Sequence, residues 1–193
     1  MTRTKRVALI IAVAGSLLYV CSYLNTPETW ESHNKKGVKA FEESRYAEAE
    51  KHLVQAFELV EKLPLNDRRL YFSLYQLAEI YRVQSKFAEA DRILGRILEI
   101  DEKILGAAHP NVAFALNNLA VNDRLRGKYE EAEVLLKRAL AILEKSLGKE
   151  HVLVGNILEH YAYLLHKMGR STEAQEMERR FQAIFSAQDI ENH

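Results

Sequence analysis

The stretch GKYEEAEVLLKRAL, at Gly127–Leu140, occurs in the chain as a series of related copies. SKFAEADRILGRIL begins at Ser85, SRYAEAEKHLVQAF begins at Ser44, and a more divergent copy, GRSTEAQEMERRFQ, begins at Gly169. These starts are 41, 42 and 42 residues apart. Because self-similarity at a fixed period is the signature of a repeat protein, this spacing predicts a repeat architecture.

Each copy follows a second amphipathic segment, best seen before the copy at Ser85. Apolar residues between Leu70 and Tyr81 recur at spacings of three and four, which places them on one face of a helix. The polar break Gln84–Lys86 follows, and a second apolar stripe runs from Phe87 to Leu98. With three prolines and eight glycines in 193 residues, such helices can run uninterrupted. The sequence therefore predicts an all-α chain of helix-turn-helix units.

Small residues occupy the same places in all four units. The columns are Gly37, Ala78, Ala120 and Ala162 in the first helix, Ala49, Ala90, Ala132 and Ala174 in the second, and Ser44, Ser85, Gly127 and Gly169 at the turn. Small side chains allow two helices to approach closely, and small residues at a turn allow one helix to end and the next to begin.

This column pattern resembles the tetratricopeptide repeat, and its longer period of about 42 residues resembles the kinesin light chain type. The residues that carry the resemblance are LGAAHP at 105–110, LNNLA at 116–120 and GKYEEAE at 127–133. The resemblance covers residues 30 to about 187. It implies a right-handed superhelical solenoid of about four helix-turn-helix units, near residues 30–63, 67–105, 110–147 and 152–187, with a tail at 188–193.

Two departures from the pattern bear on the structure. Asp123 places a carboxylate where a core residue is expected, so either it pairs with a neighbouring basic side chain such as Arg126, or that helix is rotated or locally looser. The fourth unit has Val152 in place of the junction proline, and Glu178 and Phe181 at positions that are otherwise apolar or small. We expect unit four to be a terminal cap.

The N-terminus has the features of a membrane anchor. Residues 1–6 carry three basic side chains and no acidic one, residues 7–24 carry no charge, and 25–29 form a linker. Eighteen residues of helix span about 27 Å, the thickness of a bilayer core. The positive-inside rule places the N-terminus in the cytoplasm and the repeats outside, most simply in the periplasm. A cleaved signal, giving a secreted protein, and a mitochondrial leader are the alternatives.

Composition and motifs argue against several functions. The 27 basic residues balance the 27 acidic ones, which disfavours nucleic-acid binding, and the single Cys21 excludes a cysteine-based metal site. The sequence contains no phosphate-binding loop, HExxH motif or nucleophile elbow. His160 and His166 are six residues apart and do not share a helical face, and His109 is expected to fix a helix start. We predict no cofactor, no metal and no enzymatic activity.

The resemblance implies that the first helix of each unit lines a concave groove. Carrying the family's groove columns onto this chain gives a mixed aromatic, amide and arginine surface, in which Asn117 would hold a peptide backbone and Arg82 and Arg124 would take a carboxylate. Val38 and Phe114 occupy columns where a chaperone-type carboxylate clamp needs other residues, which disfavours a chaperone tail. The groove set is Asn34, Phe41, Phe72, Tyr75, Glu79, Arg82, Phe114, Asn117, Val121, Arg124, Asn156, Glu159, Tyr163 and His166, with Val38 beside it. The alternative is that these residues form a solvated inner face.

The sequence favours a membrane-anchored scaffold or adaptor that binds a protein or an extended peptide. A second hypothesis is assembly, either self-association or packing on a membrane complex, through Phe181, Ile184 and Phe185 of the last helix. A third is an accessory subunit that acts through a partner's active site. The acidic residues Glu130, Glu131 and Glu133 are expected to be solvated.

Overall fold

The described part of the chain is helical throughout. The computed structural model describes residues 29–191, with side chains to residue 186, and within that range it contains no strand. The helices are α1 (Trp30–Glu42), α2 (Tyr46–Val60), α3 (Arg68–Val83), α4 (Phe87–Leu105), α5 (Pro110–Leu125), α6 (Tyr129–Leu147), α7 (Val152–Lys167) and α8 (Ser171–Glu191).

Pairs of helices form four hairpins, which we call units one to four: α1–α2, α3–α4, α5–α6 and α7–α8. Each helix contacts the next along the chain, and α5 also contacts α7, the first helix of the following unit. Ala49, Ala90, Ala132 and Ala174 are each completely buried. The predicted close approach of the two helices in each hairpin is confirmed.

The tight turn of every unit has one residue in the left-handed region. Ser44 and Ser85 have φ of 58° and 59°, and Gly127 and Gly169 have φ of 75° and 74°. In unit three the amide of Lys128 donates to the carbonyl of Asp123 at 2.9 Å, across the end of α5. This six-to-one bond is the Schellman ending of a helix, which requires a left-handed residue at the turn.

A side chain caps the start of each unit's first helix. Thr29 accepts from the amide of Ser32 at 3.2 Å, and Asp67 accepts from that of Arg69 at 2.8 Å. In the next two units the caps are His109 and His151, whose Nδ1 atoms accept from amides two residues on, at 3.1 Å and 3.2 Å. The predicted role of His109 is confirmed, and His151 repeats it 42 residues later.

The apolar core is divided into clusters that follow the units. The largest joins units three and four and includes Leu116, Leu136 and Leu158, while a second lies between α3, α4 and α5. The smallest, at unit one, has five buried residues, and two of them, Leu77 and Ile80, come from α3. Unit one therefore depends on its neighbour for much of its core.

Asp123 pairs with Arg126, which is one of the two expectations for this buried carboxylate. Asp123 is 8% exposed, and its Oδ1 lies 3.8 Å from Arg126 Nη1. Arg126 also contacts Asp91 of the preceding unit at 3.2 Å. Burial raises the pKa of Asp123, as does the nearby Asp91 carboxylate, while Lys128 and Arg126 oppose the shift.

The expectation that Glu133 is solvated is wrong. Glu133 is 8% exposed and accepts hydrogen bonds from Tyr161 Oη at 2.7 Å and from Arg170 Nη1 at 2.6 Å. Lys137 Nζ lies 2.7 Å from the same carboxylate. Burial alone would raise the pKa of Glu133, but these three donors outweigh it and lower the pKa to about 2.

The apolar residues offered for self-association pack within the chain. Ile184 is 2% exposed, and Phe181 and Phe185 pack against the same core cluster. A Cβ atom on Gly155 would lie 2.7 Å from the ring of Phe185. The side chain of Ile184 is therefore not open to a second copy, which corrects the surface assigned to that hypothesis.

Charged side chains join successive units in two series of contacts. On one line Glu50 pairs with Lys86, Asp91 with Arg126, and Glu133 with Arg170. On the other, which we call the outer ladder, second helices are joined: Arg96 donates to the carbonyl of Glu61, Arg138 pairs with Glu102, and Arg180 pairs with Glu144. In unit four, Gln175 stands at the position of Glu133 and Ser186 at the position of Glu144, so neither series has an acidic residue there.

The predicted membrane segment lies outside the described residues, as do the basic flank and most of the linker. Within residues 29–191, none of the helices combines the length and apolar character needed to cross a bilayer. The last helix runs through Glu191, beyond the boundary placed at residue 187.

Candidate functional site

The predicted groove residues all lie on the first helices α1, α3, α5 and α7, whose common surface we call the first-helix face. Phe72 and Tyr163 are the most exposed of its aromatic residues, at 43% and 48%. Asn34, Tyr75, Phe114, Asn117 and Val121 are half-buried, while Asn156, Glu159 and His166 are exposed.

A hydrogen bond joins α5 to α7 on this face. His160 Nδ1 lies 2.7 Å from Asn117 Oδ1, so the ring donates to the amide oxygen. Burial lowers the pKa of His160, Glu159 opposes this, and Arg124 and Arg82 lower the pKa further. The lowered pKa favours the neutral form of the His160 ring. Asn117 Oδ1 already accepts this hydrogen bond, so its Nδ2 donor is the more available group for a ligand.

Tyr163 is contacted by two cations. The guanidinium of Arg124 lies 4.5 Å from the ring centroid, and Lys167 Nζ lies 5.3 Å from it. Among the residues that the structure describes, Arg124 forms no ion pair with a carboxylate, whereas Arg82 Nη2 is 2.5 Å from Glu79 Oε2. The two arginines predicted to take a carboxylate therefore differ, and Arg124 is the more available.

A pocket of about 310 Å³ lies between α7 and α8 at the C-terminal end of the first-helix face. His166 Nε2 and Glu178 Oε1 are 2.8 Å apart at this pocket. The pocket is lined by Glu159, Ala162, Tyr163, His166, Glu178, Phe181 and Gln182. Three of the predicted groove residues thus meet three residues of α8.

The N-terminal part of the face is aromatic. Trp30 Nε1 donates to Ser73 Oγ at 2.8 Å, and the Trp30 ring meets Phe72 edge-on, with centroids 6.1 Å apart. Phe41 instead packs against Tyr46 and the core cluster of unit one, with ring centroids 5.8 Å apart. Phe41 therefore supports unit one more than it contributes to an open surface.

A tetratricopeptide repeat family model matches residues 69–145 and 124–187, which together are more than half of the chain. The chain belongs to the tetratricopeptide repeat family. The match begins in α3 and covers units two to four, while α1 and α2 lie outside it. The prediction from the repeat columns is confirmed at the level of the family.

Solved structures share the fold of these tetratricopeptide repeats. The nearly identical repeats described as those of a kinesin light chain from Podosopora anserina have 23% identity and a TM-score of 0.76, and the alignment covers 90% of this chain and 84% of theirs. BtubC (BKLC) from P. vanneervenii has 20% identity and a TM-score of 0.68, covering 95% and 74%. PlcR from Bacillus thuringiensis, solved with the peptide PapR7 and DNA, has 15% identity and a TM-score of 0.64, covering 84% and 56%. No curated protein matches the sequence significantly.

Sequence reasoning misses three contacts on the first-helix face of this tetratricopeptide repeat protein. Trp30, the single tryptophan, begins α1 outside the repeat columns, so no pattern assigns it a role. His160 and Lys167 lie beside predicted groove positions, and their contacts depend on how α7 packs against α5. Register gives one usable signal: His160 lies 43 residues after Asn117, nearly one period, which places the two side by side on successive first helices.

Proposed function

We propose that this protein is a non-enzymatic, membrane-anchored adaptor that binds an extended peptide or a partner protein along the first-helix face. The observation that carries the proposal is the arrangement across α5 and α7. There two contacts join the helices on the first-helix face, the hydrogen bond between Asn117 and His160 and the stacking of Arg124 on Tyr163.

The chemistry of this surface suits a peptide. Asn117 Nδ2 can donate to a peptide carbonyl, and the neutral His160 can accept a backbone N–H at Nε2. Arg124 can hold an acidic side chain or a terminal carboxylate through two parallel bonds. PlcR, which shares the fold, has been solved with the peptide PapR7 and DNA, so the fold occurs in a protein that binds a peptide. The balanced charge of the chain gives no support for nucleic acid as the partner.

A photo-crosslinking amino acid at Tyr163 tests the proposal in the full chain, with Val134 as the matched control. Val134 is 67% exposed on α6, away from the first helices. We expect a discrete crosslinked partner from position 163 and none from position 134. Combined Asn117→Ala and Arg124→Ala substitutions should abolish the product. Equal crosslinking from both positions, or a product that survives the double substitution, would contradict the proposal.

We also propose that residues 7–24 form the anchor, with the N-terminus in the cytoplasm and the repeats outside. The three basic residues before eighteen uncharged ones support this orientation. Protease added to intact spheroplasts should digest the repeats of the full chain. Protection of the repeats until the membrane is ruptured would place them inside.

A further inference from the structure

The three loops between units lie side by side along one edge of the array. With the adjoining helix turns they form what we call the long-loop edge, residues 61–69, 103–111 and 145–153. Asn66 and Leu105 line one pocket of about 280 Å³, and Ala108 and Ser146 line another of about 430 Å³. The first loop therefore neighbours the second, and the second neighbours the third.

The long-loop edge exposes apolar side chains. Ile104 and Leu105 are 41% and 38% exposed, and Leu147, one period after Leu105, is 37% exposed. Ile104 and Leu105 line the first of the two pockets, while the exposed Ala107 and Ala108 line the second. The edge thus presents apolar surface on both sides of the second loop.

The long-loop edge is also the place where the positive charge of the repeats is concentrated. Residues 25–193 contain 24 basic and 27 acidic side chains, of which six basic and three acidic ones lie on this edge. The edge therefore has a net charge of +3, and the remainder of residues 25–193 has −6. Five of the bases are exposed and form no ion pair within residues 29–191: Lys62, Arg68, Lys103, Lys145 and Lys149.

The opposite edge, formed by the four tight turns, has a different charge. Val83 and Leu125 are 39% and 45% exposed there, so apolar exposure alone does not distinguish the two edges. The net charge of the tight-turn edge is −1, counted over residues 42–48, 83–89, 125–131 and 167–173. Apolar side chains among unpaired bases favour the surface of an anionic bilayer, and this combination points to the long-loop edge.

The start of α1 connects the repeats to the proposed anchor at the same edge. Trp30 lies beside the beginning of α3, as its hydrogen bond to Ser73 shows, so α1 begins where the other first helices begin. The linker 25–29 separates Trp30 from the uncharged run at 7–24, and it spans at most about 20 Å when extended. The tight turns lie about 24 Å further away, the length of a 16-residue helix.

We propose that the long-loop edge docks on the surface of an anionic bilayer, so that the array lies along the membrane on this edge. Leu105 and Leu147 enter the headgroup region, and the unpaired lysines contact lipid phosphates. This inference rests on the anchor proposed above, which holds the edge near the bilayer. The first-helix face lies on the side of the array and stays open to a partner.

A polarity-sensitive NBD probe on a single cysteine tests the edge in the full chain, reconstituted into vesicles of phosphatidylcholine and phosphatidylglycerol. Leu147→Cys places the probe on the long-loop edge, and Leu125→Cys is the matched control on the tight-turn edge. Both are made in a Cys21→Ala background. At position 147 we expect blue-shifted emission and quenching by nitroxide-labelled lipid, and at position 125 neither. Vesicles of phosphatidylcholine alone should give a smaller shift at 147.

The electrostatic part is tested by replacing three lysines of the edge together, with Lys103→Gln, Lys145→Gln and Lys149→Gln. Each lysine near an anionic surface contributes about fivefold, so the triple change should lower the ratio of docked to undocked array by about a hundredfold and remove the blue shift at 147. The matched control removes the same charge from the tight-turn half of the array and should keep the shift: Lys39→Gln, Lys51→Gln and Lys128→Gln.

The outcomes separate the edge from the anchor. Equal emission from positions 147 and 125, or a shift at 147 that survives the three edge substitutions, would overturn the docking of the edge. A shift without quenching by the nitroxide lipid would identify a protein contact and overturn it as well. Flotation with the vesicles after a carbonate wash reports on the anchor. A chain that floats without a shift at 147 contradicts the edge alone, and a chain that carbonate extracts contradicts the anchor.

Discussion

Gly127 and Gly95 are two glycines that this chain uses in opposite ways. Gly127 has φ of 75° at a turn, while Gly95 is inside α4 and a Cβ there would meet nothing within 4 Å. Gly127→Ala should lower the free energy of unfolding by about 1–2 kcal/mol, because a left-handed conformation is strained for alanine. Gly95→Ala should raise it by up to about 1 kcal/mol through helix propensity. Urea unfolding of both variants checks the pair, and equal effects of the two changes would contradict it.

Glu133 and Asp101 are buried carboxylates with opposite pH dependence. The pKa of Glu133 is lowered to about 2, so its contribution to stability is complete above the ordinary value of 4.5 and is lost between 4.5 and about 2. Glu133→Gln should therefore destabilise the chain by about 1–3 kcal/mol at pH 7 and by less at pH 3.

Asp101 serves as the control of opposite sign. Burial raises its pKa, although Tyr71 donates to Oδ1 at 2.8 Å and His109 also opposes the shift. Ionisation of Asp101 thus costs stability as the pH rises above its unfolded value. Relative to the unsubstituted chain, Asp101→Asn should become more stable between pH 3 and pH 7. Unfolding curves at both pH values should show the two variants diverging, and parallel curves would contradict the assignment.

At the level of single residues, the sequence predicts the structural roles of residues in the repeat columns and few other roles. The small residues, the turns and the His109 cap follow from local rules of backbone and helix ends. The burial of Glu133 does not follow from such local rules, because its donors Tyr161 and Arg170 belong to the next unit. An acidic residue in an amphipathic pattern is indistinguishable from its solvated neighbours Glu130 and Glu131 until that unit is in place.

At the scale of the helices, the two residues that face each other within a hairpin differ in size from unit to unit, and a change in one is matched by a change in the other. Gly155 faces Phe185 in unit four, and the corresponding residues in unit three are Ala113 and Leu143, both completely buried. A smaller residue on the first helix thus accompanies a larger one on the second. Unit two has Tyr71 and Asp101 at these places, joined by a hydrogen bond instead.

Gly155→Ala should destabilise the chain by about 1–3 kcal/mol, because the new methyl group would lie 2.7 Å from the Phe185 ring. Phe185→Leu in the same chain should recover part of the loss, since the double variant has the pair found in unit three. Thermal unfolding of the single and double variants measures the coupling. Additive losses would show that the two positions do not share one packing constraint.

At the scale of the whole molecule, a solenoid is stabilised by contacts between neighbouring units, so its ends and its smallest clusters open first. Unit one has the smallest buried cluster, and His33 and His52 stand at two positions that are apolar in the other units. Amide hydrogen exchange should therefore be fastest in α1 and α2 and slowest in α5 and α6. Uniform exchange along residues 29–191 would show a single cooperative unit.

The fold follows from the sequence because each unit repeats the same local rules at a period of 41 or 42 residues. The first-helix face follows in outline, since register alone places Asn117, Arg124 and Tyr163 on it. Its details do not, because the Asn117–His160 bond and the pocket of α7 and α8 depend on the packing of successive helices. Within residues 29–191, Arg82 pairs with a carboxylate and Arg124 does not, and this difference is decided by neighbours on the same face.

The outer ladder has a consequence for how the chain can be lengthened. Each of its rungs joins a donor arginine to the unit before it, and the acids Glu102 and Glu144 are one period apart, as are Arg138 and Arg180. A duplicate of residues 110–151 inserted before Val152 would meet both neighbours with the same charges. Unit three can therefore be duplicated with its contacts to both neighbours kept. Unit four cannot hold a following unit in the same way, because Gln175 and Ser186 stand where the acids are needed. We therefore expect added repeats to be tolerated in the middle of the array and not after unit four.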